Sequence, residues 1–382
     1  MNTPVYLDYN ATTPIDKEVA KAMTPYINTM YGNPSSSYSI GINNKTAINQ
    51  AREQVANLLH ASVDEIIFTS GGTESNNMAI KGIALALRKK GKHIITSSIE
   101  HPAVTEVCRY LESVGYQVTY LPVDSTGMVN TEDVKKAIRK DTILISIMHA
   151  NNEVGTIQPI REIGEIANAK NIRFHTDASQ SIGKIDTNVK ELDVDLLTIA
   201  GHKLYSPKGI GALYIKQGVK LENIIHGAGQ EKGIRPGTEN VVQIIGLGKA
   251  CEIAQRNLKE NNKHMFSMKK RLLDGLIDRL GDLIKVNGNQ KHCLPNTLSL
   301  SFEKLEAYTL ASVLSKDVLI STGSACHSGA IEASPVLKSM QIPVLIAATT
   351  VRISTGKYTT AKEIDFAIKV LAETVQKLQN KF

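Results

Sequence analysis

The sequence predicts an α/β fold: a large domain on a mainly parallel sheet flanked by helices, followed by a smaller α+β domain. Three observations carry this prediction. From residue 65 short apolar runs alternate with segments of helical periodicity, and polar residues follow the ends of those runs. A long helical segment then leads away into a more mixed pattern.

Before the alternation begins, Asp16 to Tyr31 and Asn43 to His60 carry apolar residues at near-helical spacing. The second places Ala47, Ala51, Val55, Leu58 and Leu59 on one side. The alternation runs through strand Glu65-Ile-Ile-Phe-Thr69, helix Glu74 to Lys90, strand His93-Ile-Ile-Thr96, helix Pro102 to Val114 and strand Gln117-Val-Thr-Tyr-Leu121. It continues with strand Thr142 to Ile147, helix Pro159 to Lys170, strand Ile172 to Thr176, strand Asp195 to Ala200 and strand Gly209 to Ile215. The helical stretch from about Val242 to Leu280 loses apolar content near Asn261, which marks a candidate domain boundary. Beyond it lie strand Asn296 to Ser301, helix Glu306 to Ser315, strands Val318 to Ser321 and Val351 to Ser354, and a final helix from Thr360.

Composition narrows the function. At 382 residues the chain has length for about two or three domains. The 44 Lys+Arg and 37 Asp+Glu are interspersed, so the net charge of +7 forms no nucleic-acid footprint, and the densest basic stretch, Lys263 to Arg271, reads as a solvated helix face. The four cysteines, Cys108, Cys251, Cys293 and Cys326, are widely spaced and form neither a C-x-x-C pair nor a disulfide framework, which favours a reducing, cytoplasmic setting. The first residues lack a signal-peptide pattern, and no stretch reaches the ~18 apolar residues of a membrane span. A soluble protein without a nucleic-acid or membrane partner is expected.

The informative residues lie just past the strands. Lys203 sits in Thr198-Ile-Ala-Gly-His-Lys-Leu-Tyr-Ser-Pro-Lys-Gly209, at the end of an apolar run and inside a glycine-bounded turn. Ser70-Gly-Gly-Thr-Glu-Ser-Asn76 opens a helix with backbone N–H groups and the Thr73 hydroxyl free to hold a phosphate. Glu100-His101, His149-Ala-Asn-Asn152, Asp177-Ala-Ser-Gln180 and His202-Lys203 follow other strands, and ligands gather at the carboxyl ends of such strands. Taken singly, Asp177 reads as a helix cap, His101 as a capping or core histidine and Asn152 as a turn residue. Together, an imine-forming lysine, a carboxylate for a pyridinium nitrogen, an aromatic group for a ring face and a phosphate cradle meet the needs of pyridoxal phosphate.

With these motifs the chain resembles the cysteine desulfurases, fold-type-I pyridoxal-phosphate enzymes of the class V aminotransferase group. The resemblance is nearly end to end. It runs through Tyr6 to Pro14, Gly32-Asn-Pro-Ser-Ser36, Thr69 to Asn77, Glu100-His101, Asn151 to Gly155, Asp177 to Gln180, Gly201-His-Lys203, Gly229 to Asn240, Gly323-Ser-Ala-Cys326 and Val351-Arg352. It implies the pyridoxal-phosphate-dependent transferase fold, with a seven-stranded sheet in a large cofactor-binding domain over residues 15–260. Residues 1–14 and 261–382 would form the small domain that carries the cysteine loop.

The resemblance further implies a homodimer that converts L-cysteine to L-alanine with pyridoxal 5′-phosphate and leaves the sulfur on Cys326 as a persulfide. Lys203 would form the Schiff base with the cofactor, Asp177 would hold the pyridine nitrogen, and His101 would stack on the ring and shuttle protons. Gln180 would meet the ring hydroxyl. Gly72, Thr73 and His202 would cradle the phosphate, joined by Thr238 from the second subunit, and Arg352 with Asn152 and Asn10 would hold the substrate carboxylate. The sulfur would pass to an acceptor such as an iron–sulfur scaffold or a tRNA-thiolation enzyme. No metal site is expected, although Cys326 is placed to contact a transferred iron–sulfur cluster.

Cys326 separates sulfur chemistry from ordinary transamination. It lies among small residues, Gly323-Ser-Ala325 and His327-Ser-Gly-Ala330, in a loop running to about Lys338 that is long enough to swing, whereas Cys108 and Cys251 fall in helical patterns and read as buried apolar residues. Three positions depart from the family pattern: Tyr38 in place of a histidine, Ala200 in place of a hydroxyl residue near the phosphate, and Pro236 after Arg235. The alternatives are a selenocysteine lyase, another class V enzyme, or an inactive sulfur-carrier scaffold.

Overall fold

The computed structural model describes residues 4–322 and 334–379, together with the backbone of the short strands Cys326–His327 and Ala330–Ile331. Seven strands form the main sheet in the order Ile66–Thr69, Gly211–Ile215, Leu196–Ala200, Arg173–Asp177, Thr142–Ser146, His93–Ser97 and Gln117–Leu121. Gly211–Ile215 runs antiparallel to both of its neighbours, and all the other pairs are parallel. Only the short loop after Leu196–Ala200 lacks the crossover helix that a parallel return needs, so that return is antiparallel.

Both faces of the sheet are covered, and the period of two in each strand divides its side chains between two cores. Phe68, Ile95, Ile145, Leu197 and Ile199 point into one, while Ile67, Ile94, Leu144 and Leu196 point into the other. The first core is completed by helices Lys17–Asn28, Ser39–Leu59 and Ile160–Ala169, the second by Gly72–Ala86 and Pro102–Ser113. Cys108 and Cys251 are fully buried, as their helical settings predict.

Helix Val241–Leu280 is 40 residues long, which at 1.5 Å per residue spans roughly 60 Å. Its first half, through Ala254, packs in the first core, and its last turns, from Met268 to Leu280, pack in a third. The stretch around Asn261 carries no buried apolar residue, matching the dip in the sequence. The third core covers an antiparallel sheet ordered Ser321–Thr322, Thr350–Ser354, Thr297–Phe302 and Ile284–Asn287. Leu7 belongs to it, because Val5–Tyr6 pairs in parallel with Val318–Leu319.

Two sequence expectations are revised in detail. The single strand expected over Val318 to Ser321 is two, one pairing with the N-terminal strand and one with Thr350–Ser354. Regular structure after the cysteine loop resumes at helix Pro335–Ser339, before Lys338, because the Ser334 hydroxyl accepts from the N–H groups of Val336 and Leu337. Among the described residues no helix is long and apolar enough to cross a membrane.

Candidate active site

Strands Ile66–Thr69, His93–Ser97, Thr142–Ser146, Arg173–Asp177 and Leu196–Ala200 all run in one direction, so their carboxyl ends share one edge of the sheet. Above that edge lies a cavity of about 350 Å³. Asn10, Gly72, Thr73, His101, Asn152, Asp177, Gln180, His202, Lys203 and Arg352 all line it. Thr238 is exposed and does not line it, and the Cys326 side chain lies outside the described residues.

Gly71, at φ 149°, turns the chain from the strand into helix Gly72–Ala86. An L side chain rarely adopts that backbone, which explains the glycine. The first residues of the helix, Gly72 and Thr73, thus line the cavity, and a helix start favours an anion. A Cβ at Gly72 would stand 3.2 Å from both the Ala200 Cβ and the Ser179 Oγ, so the glycine keeps this corner open.

Asp177 ends its strand with both carboxylate oxygens held: Ser179 N–H donates to Oδ1 at 2.9 Å and Asn76 Nδ2 to Oδ2 at 2.7 Å. Asn76 and Ser179 also line the cavity, and neither was singled out in the sequence. The signal was there for Asn76, which follows Thr73 by three residues and so shares its helix face. His101 caps helix Pro102–Ser113, its Nδ1 accepting from Ala103 N–H at 3.1 Å. A neutral His101 therefore carries its proton on Nε2. Burial lowers its basicity, Asp177 opposes this and Lys203 reinforces it.

Lys203 follows Leu196–Ala200 in the tight turn Gly201–Lys203, and its Nζ donates to the Asn10 carbonyl at 2.8 Å. Burial, reinforced by Arg352 and opposed by Asp177 and Asp8, lowers the ammonium to about 8. In the same turn, the His202 Nδ1 lies 3.2 Å from the Thr12 hydroxyl, and burial followed by the nearby cations lowers the ring to about 4. On the opposite wall, Arg352 pairs with Asp8 at 2.7 Å and donates to the Asn152 carbonyl at 3.1 Å, while its buried Nε has no partner. The cavity thus gathers one amine, two imidazoles, a guanidinium and the start of a helix around one carboxylate, an arrangement suited to an anionic ligand.

A buried lysine of lowered basicity and a carboxylate share one cavity at the strand ends of a mainly parallel sheet. The family described as Aminotransferase class-V matches residues 5–366. The cysteine desulfurase IscS of Dictyoglomus turgidum is 50% identical over 380 residues, covering 99% of this chain and 96% of that one. A solved NifS-like protein superposes with a TM-score of 0.92 at 41% identity, covering 98% of this chain and 99% of that one. A structure described as SspA in complex with cysteine superposes at 0.83 with 38% identity, covering 93% and 100%. The chain belongs to the cysteine desulfurase family.

Proposed function

We propose that the chain uses pyridoxal 5′-phosphate to convert L-cysteine to L-alanine and leaves the sulfur on Cys326 as a persulfide. The observation that carries this reading is Lys203, lowered to about 8, sharing a cavity with Asp177 at the ends of adjacent parallel strands. The donor set fits the cofactor: the N–H groups at Gly72 and Thr73 and the His202 ring suit its phosphate, and Asp177 suits its ring nitrogen. When bound, the cofactor supplies an aldehyde that takes up amines and a pyridinium ring that draws negative charge from the α-carbon.

The rest of the chemistry falls to the chain's own groups. Arg352, with Asn152, holds the substrate carboxylate and so aims the substrate amine at the cofactor, whereas the side-chain N–H groups of Asn10 are already given to Thr297 and the Asn152 carbonyl. Lys203, partly unprotonated near neutral pH, would hold the cofactor aldehyde and, as a free amine, would take the α-proton of the substrate. Asp177, fixed by Asn76 and Ser179, would hold the ring nitrogen in its protonated form. His101, which lines the cavity, would lie against the ring and move protons through Nε2. The Cys326 thiolate attacks the substrate sulfur, the carbon–sulfur bond breaks with its electron pair going to carbon, and a proton replaces sulfur there. The products are alanine and Cys326–S–SH, and no external oxidant enters the balance.

Thr238 reaches the phosphate of a second subunit in a homodimer, which accords with its exposure here. The persulfide serves an acceptor such as an iron–sulfur scaffold or a tRNA-thiolation enzyme, in a cytoplasmic setting that keeps Cys326 reduced. The purified protein is expected to be yellow and to release alanine and sulfide from cysteine with a thiol reductant. Lys203→Ala should be colourless, and a variant with an intact lysine-linked absorbance band would sink the lysine assignment. Cys326→Ser should keep the colour and lose persulfide formation; full turnover by it would remove Cys326 from the reaction.

A further inference from the structure

Lys184 has no role in the chemistry above, yet it is one of the most completely buried lysines of the chain, 5% exposed. Its Nζ donates to Gln180 Oε1 at 3.0 Å and to Asn10 Oδ1 at 3.1 Å. Among the described residues no carboxylate pairs with it. Burial, followed by Lys203 and Arg352, lowers its ammonium well below the usual lysine range. A lysine kept in such a place needs a reason, because taking its amino group out of water with no counter-charge beside it is costly.

The reason lies in the inventory of donors. Both partners of the Lys184 amino group are amide oxygens, which only accept, so Nζ donates to each and holds the oxygen end of both side chains. With Oε1 held by Lys184, the Gln180 Nε2 must point the other way, where one N–H reaches the Asn10 carbonyl at 3.0 Å. That carbonyl also accepts from Lys203. The second N–H of Gln180 is left for the cavity, which Gln180 lines. Asn10 is turned in the same way: Lys184 and Asn296 hold its Oδ1, and its Nδ2 donates to Thr297 and to the Asn152 carbonyl.

We propose that Lys184 is a positioning residue that locks the amides of Gln180 and Asn10, so that Gln180 presents an N–H and never its carbonyl to the ring oxygen of the bound cofactor. This inference rests on the cofactor reading above. An N–H at that oxygen stabilises its anion and weakens the hold of the lysine–cofactor linkage on its proton. Losing that N–H strengthens the hold and raises the pH at which the proton leaves.

The test is a pH titration of the visible absorbance band of the holoenzyme. Lys184→Met should still bind cofactor at one per chain and be no less stable without it, because a desolvated amino group has been replaced by an apolar chain of similar length. Its band midpoint should rise by about one pH unit or more, with kcat falling more than KM changes. Lys184→Gln leaves a polar side chain whose amide can face either end of Gln180, so Gln180 is free to turn, and it should raise the midpoint too. It therefore decides the matter should Lys184→Met fail to fold. An unmoved midpoint in a folded variant that binds cofactor overturns the inference alone; a wild-type protein without the band overturns the cofactor reading and this inference with it.

Discussion

Arg352 shows what a single side chain contributes here. Two of its nitrogens are committed, one to Asp8 and one to the Asn152 carbonyl, and these fix the plane of the guanidinium at the cavity wall. A lysine would deliver the charge without the planar fork. Arg352→Lys is therefore expected to raise KM for cysteine by roughly tenfold or more, since a hydrogen bond to a charged group is worth about 1.5–3 kcal/mol, and to leave kcat within a few-fold. Steady-state kinetics decide this, and an unchanged KM would take the substrate carboxylate away from Arg352. At this scale the sequence was informative wherever a residue type is tied to a chemistry: Lys203, Asp177, His101 and Arg352 all line one cavity. It placed Asn76 on the helix face of Thr73 but said nothing of the oxygen Asn76 meets, and it was uninformative for Lys184. Their part depends on which oxygen each amide or ammonium faces, a relation between side chains far apart in the chain.

Among the elements, the edge strand Ile66–Thr69 depends on a contact no periodicity could reveal. Glu231 accepts from both terminal nitrogens of Arg52, at 2.7 and 2.6 Å, and from the Phe68 N–H at 2.8 Å. Both side chains of this pair are less than a tenth exposed. The pair pins the segment that leads to Thr238 against the strand and helix Ser39–Leu59. Removing one partner leaves a buried charge uncompensated, so Glu231→Ala should cost about 3–5 kcal/mol in urea unfolding of the cofactor-free protein. A loss under 1 kcal/mol would show that Arg52 finds solvent or another partner. The long periodic elements were legible because each has one buried face and a defined end, as with helix Val241–Leu280 between Asn240 and Gly281. Helices Val189–Leu192 and Val344–Ala347, of four residues each, are too short to show a period. Their backbone is set by the caps and turns around them.

At the scale of the whole molecule, buried titratable groups set how stability follows pH. Burial lowers His149 and His175 to about 4, as it does His202, from an ordinary value of 6.5. As pH falls below 6.5 the unfolded chain takes up protons at all three while the folded chain does not, so stability is lost through that window down to about 4. Glu100 works in the opposite sense. Burial raises its carboxyl from 4.5 to about 8, against the hydrogen bonds from Ser97 and Met148, so its contribution is whole below 4.5 and is lost as pH rises towards 8. Between about 4.5 and 6.5 three histidines outweigh one carboxyl, and the cofactor-free protein should gain stability with pH. Near neutrality Glu100 remains a cost. Glu100→Gln keeps an acceptor for Ser97 and Met148 and places its NH₂ where Oε2 already lacks a partner. It should raise stability at pH 7 by up to about 3 kcal/mol and leave stability near pH 4 almost unchanged. Urea titrations of both proteins across this range measure the difference directly. Equal gains at both pH values would mean that the Glu100 carboxyl titrates normally in the folded protein.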